Sequence, residues 1–134
     1  MAKFSGKTVL DSNVWVAYFL AQDPQHQAAA DIFESLDLSK VYIHDFIILE
    51  IVSVLRIRAN AKVAAKALEL LEQLELKSID TDFAKQEVYI LAKTAQYPKL
   101  SFVDMFLLVL SKKYKIVTFD KALARAINPY AKNK

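Results

Sequence analysis

Four carboxylates stand where a solvated surface does not explain them: Asp11, Glu50, Asp104 and Asp120. Asp11 closes the apolar run TVL and Asp120 closes IVTF, whereas Glu50 and Asp104 lie inside the greasy stretches FIILEIVSVL and FVDMFLLVL. At helical spacing Asp104 shares a face with Leu100, Leu107 and Leu108. An ionised carboxylate on such a face is strongly unfavourable unless a cation, a partner or a proton compensates it. Four such groups in one cleft also repel one another and raise their own pKa values. Hard divalent ions are the natural remedy. Mg²⁺ or Mn²⁺ prefers oxygen ligands, keeps several waters, and is held by one or two carboxylates together with substrate phosphate. Such an ion acidifies water and offsets charge building at phosphorus, so the chemistry indicated is phosphodiester hydrolysis.

Any one acid at a strand end is more often a helix cap than a ligand, so the reading rests on joint placement. Ser12, Asn13 and Thr118 lie close enough in sequence to Asp11 and Asp120 to hydrogen-bond the acids or their waters, although capping and strand propensity also explain them. His26 and His44 stand far apart, which disfavours an imidazole metal cluster and suggests a surface residue and a strand-end residue. Arg56, Arg58, Lys62, Lys112, Lys113, Lys115, Lys121 and Arg125 can contact a phosphate backbone, with solvated faces the simpler role for most of them.

The elements that must position the acids follow from periodicity. Residues 7–11, KTVLD, read as a buried strand, and Ser12 or Asn13 can cap the helix continued by Val14 and Leu20. Asp23-Pro24 offers a cap and a first-turn proline for a helix reaching about Leu36. Residues 41–43 make a second strand, Asp45 can cap the helix carrying Glu50, and residues 62–76 form another helix. A brief third strand is expected at 77–80, and a helix from Thr81 to near Gln96. Tyr97-Pro98 breaks the chain before the helix of Asp104. A fourth strand leads to Asp120, followed by a helix over 121–127 that Asn128-Pro129 ends, leaving 128–134 as a flexible tail.

Lengths bring Asp104 and Asp120 to the same edge. About eight helical residues at ~1.5 Å rise carry the chain roughly 12 Å one way, and about five strand residues at ~3.3 Å return it by roughly 16 Å. Strands alternating with helices indicate an α/β domain with a mainly parallel sheet, whose ligands gather at the carboxyl ends of the strands.

Composition bounds the remaining possibilities. At 134 residues and 54% apolar the chain suits one domain with a real core. A net charge of +3 permits a polyanionic partner without demanding one. The absence of Cys removes disulfides and thiolate zinc sites, and one Gly is too few for a glycine-rich phosphate loop. No secretory pattern appears and the longest greasy run is too short to span a bilayer, so a soluble cytoplasmic protein with no membrane association is expected.

VLDSNVW, then the apolar helix with Glu50, then LSFVDMFLLVLSKKYKIVTFD together resemble the PIN-domain nucleases, particularly the short VapC-type toxins of type II toxin–antitoxin pairs. The resemblance spans nearly the whole chain. It implies a three-layer α/β/α sandwich around a short parallel sheet and a Mg²⁺- or Mn²⁺-dependent endoribonuclease. It also implies an acidic site of Asp11, Glu50, Asp104 and Asp120, with Asp11 and Asp104 holding the principal ion and the other two completing the site directly or through water. RNA as substrate, a cognate antitoxin and a homodimer are the implied partners. Two alternatives within the family are an RNA-processing nuclease that is not a toxin and a non-catalytic binding module. Outside it, a phosphoacceptor receiver domain fits worse, because Ser12 and Asn13 follow Asp11 where adjacent acids are needed. A phosphatase with an aspartate nucleophile needs an acid at Asn13. The segments at 22–27 and 56–62 are candidates for reading RNA bases.

Overall fold

In the computed structural model, which describes residues 6–132, the run TVL forms β1 (Thr8–Leu10), buried along its whole length. After it come α1 (Ser12–Phe19), α2 (His26–Ser35), a single 3₁₀ turn (Leu38–Lys40) and β2 (Val41–Ile43). The chain continues through α3 (Asp45–Arg58), α4 (Ala61–Leu74), β3 (Lys77–Ser78), α5 (Asp82–Ala92), α6 (Phe102–Leu110), β4 (Lys115–Val117) and α7 (Lys121–Lys132).

The four strands make one sheet in the order β3-β2-β1-β4, every neighbour parallel. Thr8 lies opposite both Val41 and Lys115, so β1 is ladder-bonded on both sides. Parallel pairing requires crossovers, and these are right-handed. Stepping from β1 to β2 to β3 goes one way across the sheet, which lays α1 to α4 on one face; returning from β3 to β4 on the far side lays α5 and α6 on the other. Packing follows that division, with α1 against α2 and α3, α3 against α4, α5 against α6, and α6 against α7. The result is a three-layer α/β/α sandwich. A central strand covered on both faces must be apolar throughout, which is why Val9 and Leu10 have no exposed surface. Trp15, Ile47, Ile51, Leu55, Leu107, Leu108 and Leu123 fill the layers around it. The edge strand β3 is exposed and carries Lys77, whose ammonium lies 5.8 Å from the Tyr42 ring centre.

Several boundaries differ from those expected. Helix α1 is capped by Asp11 itself, whose extended backbone lets its carboxylate reach the Ser12 N–H, so Ser12 and Asn13 are already helical. Helix α3 is capped by His44, whose Nδ1 accepts from the Phe46 N–H at 3.3 Å, and Asp45 is its first residue. Asp23-Pro24 forms a turn closed by the Gln25 N–H on the Asp23 carboxylate, and α2 starts two residues later than a proline-first helix would. Helix α5 stops at Ala92, where the Thr94 hydroxyl donates to the Leu91 carbonyl at 2.8 Å, four residues short of Gln96.

The largest correction is at the C-terminus. Helix α7 runs through Pro129 to Lys132 instead of ending at Asn128-Pro129, so 128–132 is helical; residues 133–134 of the expected tail lie outside the described residues. Proline removes one backbone bond, to the carbonyl of the exposed Arg125, which water can solvate. Ala126, Ile127 and Tyr130 pack on the core, and the Lys112 ammonium lies 5.1 Å from the Tyr130 ring centre, which fixes the turn beyond the proline.

Candidate active site

Each acid reaches the carboxyl edge of the sheet by a different local device. Asp11 is the residue after β1, and its N–H continues the ladder by donating to the Val117 carbonyl at 2.9 Å. It is 4% exposed. One carboxylate oxygen, Oδ1, accepts from the Ser12 N–H at 2.7 Å, and the other, Oδ2, accepts from the Thr118 hydroxyl at 2.8 Å. Thr118 just past β4 is therefore the link between the central strand β1 and its edge neighbour β4.

The hydrogen bonding of that threonine leaves no ambiguity. Its oxygen accepts from the Asn13 side-chain amide at 3.3 Å and from the Asp120 N–H at 3.0 Å. Both are pure donors, so both lone pairs are occupied and the hydroxyl proton can go only to Asp11. Asn13 is oriented in turn by the Phe119 N–H, which donates to its side-chain oxygen at 3.2 Å. Ser12, Asn13 and Thr118, singled out in the sequence only for their position, thus hold Asp11 in place across more than a hundred residues of chain.

Burial pushes the Asp11 carboxyl up from the ordinary 3.8 to about 6, against the lowering effect of the Thr118 and Ser12 bonds and with further upward pressure from Asp104 and Glu50. Glu50, half-buried in the second turn of α3, is also raised, first by burial and then by Asp104, while a bond from the Ser12 hydroxyl lowers it. Asp11, Glu50 and Asp104 therefore share one electrostatic environment. The two ion pairs seen among the described residues, Arg58–Asp23 and Lys112–Glu87, involve none of the three.

Asp104 is third in α6 and takes part in a capping box: its carboxylate accepts from the Ser101 N–H at 3.0 Å, and the Ser101 hydroxyl accepts from the Asp104 N–H at 3.1 Å. The pattern Ser-x-x-Asp ahead of an apolar run was a visible signal for this pair, and Ser101 is the residue that sequence reasoning left without a role at the site. Asp120 stands apart. It lies at the same edge through the Thr118 bond, but its carboxylate caps α7 by accepting from the Leu123 N–H at 3.1 Å, and it is not among the groups that shift Asp11 or Glu50.

Among the described residues, no group of three or more His, Cys, Asp or Glu side chains is arranged to enclose a metal ion. A hard ion with a largely aqueous shell needs less than that. The buried Asp11 and the half-buried Glu50, both raised in pKa and without an ion-pair partner among the described residues, supply with Asp104 the oxygen donors that Mg²⁺ or Mn²⁺ takes. The donor set fits such an ion and offers nothing to a soft one.

The remaining candidates fall elsewhere. His26 donates from Nδ1 to the Ala17 carbonyl at 2.8 Å and ties α2 to α1. Arg58 is paired with Asp23 at 2.9 Å, Lys112 with Glu87 at 2.8 Å, and Lys113 covers the Phe83 ring at 4.2 Å. These three cations serve the fold. Arg56, Lys62, Lys115, Lys121 and Arg125 are exposed. No helix among the described residues is long and apolar enough to cross a membrane.

Comparison with known proteins gives two findings. The PIN domain family model matches residues 8–128. Among solved structures the chain is similar to Mycobacterium tuberculosis VapC20, a toxin that cleaves the sarcin–ricin loop, with 18% identity over 90% of this chain and 95% of that one and a TM-score of 0.75. At that identity the likeness is one of fold. No curated protein matches the chain.

Proposed function

The chain belongs to the PIN-domain family, and from that premise we propose that it is a Mg²⁺- or Mn²⁺-dependent endoribonuclease acting as the toxin of a toxin–antitoxin pair. The observation that carries the reading is the meeting of Asp11, Glu50 and Asp104 at the carboxyl edge of the sheet, with Asp11 raised to about 6 and no cation among the described residues paired with them. Such an arrangement is unfavourable for folding and favourable for holding a hard cation. The fold of VapC20, an RNA-cleaving toxin, supports RNA as the polymer and toxicity as the role.

Asp11 and Asp104 hold the ion, with Glu50 and Asp120 completing the site directly or through water. When bound, the ion supplies Lewis acidity, acidifying water and offsetting negative charge at phosphorus. The chain's own residues do the rest. Thr118 and the Ser12 N–H hold Asp11 with both oxygens in fixed directions. The Ser101 N–H does the same for one oxygen of Asp104. Glu50, held near Ser12 and raised by burial, orients the attacking water and takes its proton. Hydrolysis forms a bond from water oxygen to phosphorus and breaks a phosphorus–ester oxygen bond, and the leaving oxygen acquires a proton. A cytoplasmic homodimer restrained by a cognate antitoxin over the cleft completes the proposal.

The test is cleavage-site mapping on total cellular RNA by wild type and Asp104→Asn, with Mg²⁺, Mn²⁺ and chelator. Asparagine keeps an oxygen to accept from the Ser101 N–H, so the fold survives while cleavage is lost. Wild-type, metal-dependent cleavage by folded Asp104→Asn protein overturns the assignment. Growth arrest on expression, relieved by a small neighbouring open reading frame, separates a toxin from a processing enzyme.

A further inference from the structure

Beside the acids lies a row of aromatic rings that the proposed chemistry does not use. It starts at His44 and passes to Phe46 at 5.1 Å between ring centres, to Phe106 at 5.7 Å, to Phe102 at 5.6 Å and to Tyr89 at 6.0 Å. His44, Phe46, Phe106 and Phe102 line an open groove of about 370 Å³ between the carboxyl ends of β2 and β3 and the first turns of α5 and α6, and Tyr89 extends the row beyond it. Its outer members are not core residues: Phe102 is 51% and Tyr89 44% exposed. Leaving two large rings in water costs folding energy, and neither is needed to close the α5–α6 contact, which Ala84, Val88 and Met105 bury beneath them.

The row is continuous with the acidic site. Phe46 and Glu50 are four residues apart on α3, so their side chains are neighbours on one face. Phe102 and Phe106, also four residues apart, share a face of α6, and Asp104 lies in the same first turn on the other side of that helix. A strand with one phosphate at the acids therefore passes its next nucleotide over Phe46, beside Glu50, from which the ring contacts lead on through Phe106 to Phe102. The groove also carries Lys85, whose ammonium is 5.8 Å from the Tyr89 ring centre and can meet a phosphate, with Asp82 beside it as the opposing charge. Ring faces spaced along a groove, a cation at its rim and a phosphodiester site at its end are the parts of a platform for unpaired bases.

We infer that the His44–Phe46–Phe106–Phe102–Tyr89 row is the base-binding subsite of this protein, on which unpaired RNA bases flanking the cleaved phosphate stack. The inference rests on the ribonuclease reading above and specifies where the substrate's bases go. Stacking needs a π face, whereas docking of an apolar protein segment needs only apolar area. Leucine at position 102 keeps the second and removes the first.

The experiment measures binding of a single-stranded RNA oligonucleotide carrying 2-aminopurine to the Asp104→Asn protein in Mg²⁺. Anisotropy reports affinity, quenching of the 2-aminopurine reports stacking, and circular dichroism checks each variant's fold. Phe102→Ala and Phe102→Leu should each weaken binding about 5- to 150-fold and abolish quenching, the range for loss of one stacked base. Phe102→Trp should restore both. Equal affinity and quenching for Phe, Leu and Ala at 102 overturn the inference, as does a leucine variant that binds as well as wild type, which marks an apolar docking face. Wild-type cleavage alongside unchanged Phe102 variants removes the subsite alone. Absence of RNA binding and cleavage by wild type removes both this inference and the ribonuclease reading.

Discussion

Asp11 makes the stability of the metal-free protein fall as the pH rises. Its carboxyl titrates near 6 in the folded chain and near 3.8 when exposed, so the folded state keeps the proton longer. The resulting penalty is absent below about pH 4, grows as the pH rises and is complete above about 6. At 1.36 kcal/mol per pH unit the full penalty is ~3 kcal/mol, of which ~2 kcal/mol develops between pH 4.5 and 8. Other groups add their own pH dependence: Asp37, lowered from 3.8 by its Ser39 bonds, acts below that window, and Glu50, raised by burial, acts in the same direction as Asp11. The measurement is therefore the difference between wild type and Asp11→Asn in chelator, by urea denaturation at several pH values. Asparagine at 11 brings a constant offset of its own, because its amide would face a Thr118 oxygen already accepting from Asn13 and the Asp120 N–H. The pH-dependent part of the difference isolates the Asp11 proton. Asp11→Asn should gain ~2 kcal/mol on wild type between pH 4.5 and 8. A difference that stays flat across that range would refute the claim that burial, and not the Thr118 and Ser12 bonds, dominates this carboxylate.

Saturating Mg²⁺ or Mn²⁺ should reverse the same penalty: at a hundredfold excess over Kd it stabilises by ~2.7 kcal/mol, and the rise in Tm should be larger at pH 8 than at pH 5. A metal-independent Tm would contradict the donor assignment. Thr118→Val removes the one hydroxyl that joins Asp11, Asn13 and the Asp120 N–H. It should cost ~1–3 kcal/mol and raise the Asp11 titration further, while Thr118→Ser restores both, as read by denaturation and by carbonyl NMR. Away from the site, Asn60→Ala loses the cap on the Val63 N–H and should destabilise by ~1 kcal/mol without affecting cleavage, which serves as a control separating stability from chemistry.

The local pattern was legible wherever burial dictated it. TVL had to be a covered strand because it is apolar on both faces, and FVDMFLLVL had to be a helix with an acid against its core side. The parallel sheet followed from the alternation of strands and helices, and the meeting of Asp11, Glu50 and Asp104 from the rule that strand carboxyl ends share an edge. Boundaries were less legible, since they turn on single hydrogen bonds. Nothing local says that Asp11 and not Ser12 caps α1, or that His44 and not Asp45 caps α3. Pro129 read as a stop because its own chemistry breaks helices, while the Lys112–Tyr130 contact that holds the last turn involves residues eighteen positions apart.

The types and burial of Asp11, Glu50 and Asp104 were thus set by the chain itself: a carboxylate among Leu and Ile residues is a fact of sequence, and so is its need for compensation. Only the tertiary structure decided how those acids are held and which of them interact. Thr118 reaches Asp11 because β4 pairs with β1, and Asn13 reaches Thr118 for the same reason. The turn after β4 aims Asp120 at the first turn of α7, outside the electrostatic group of the other three. The aromatic row, too, exists only in three dimensions, assembled from α3, α5 and α6. Periodicity places a residue on a face; which faces meet depends on strand order and crossover hand, and those are properties of the whole chain.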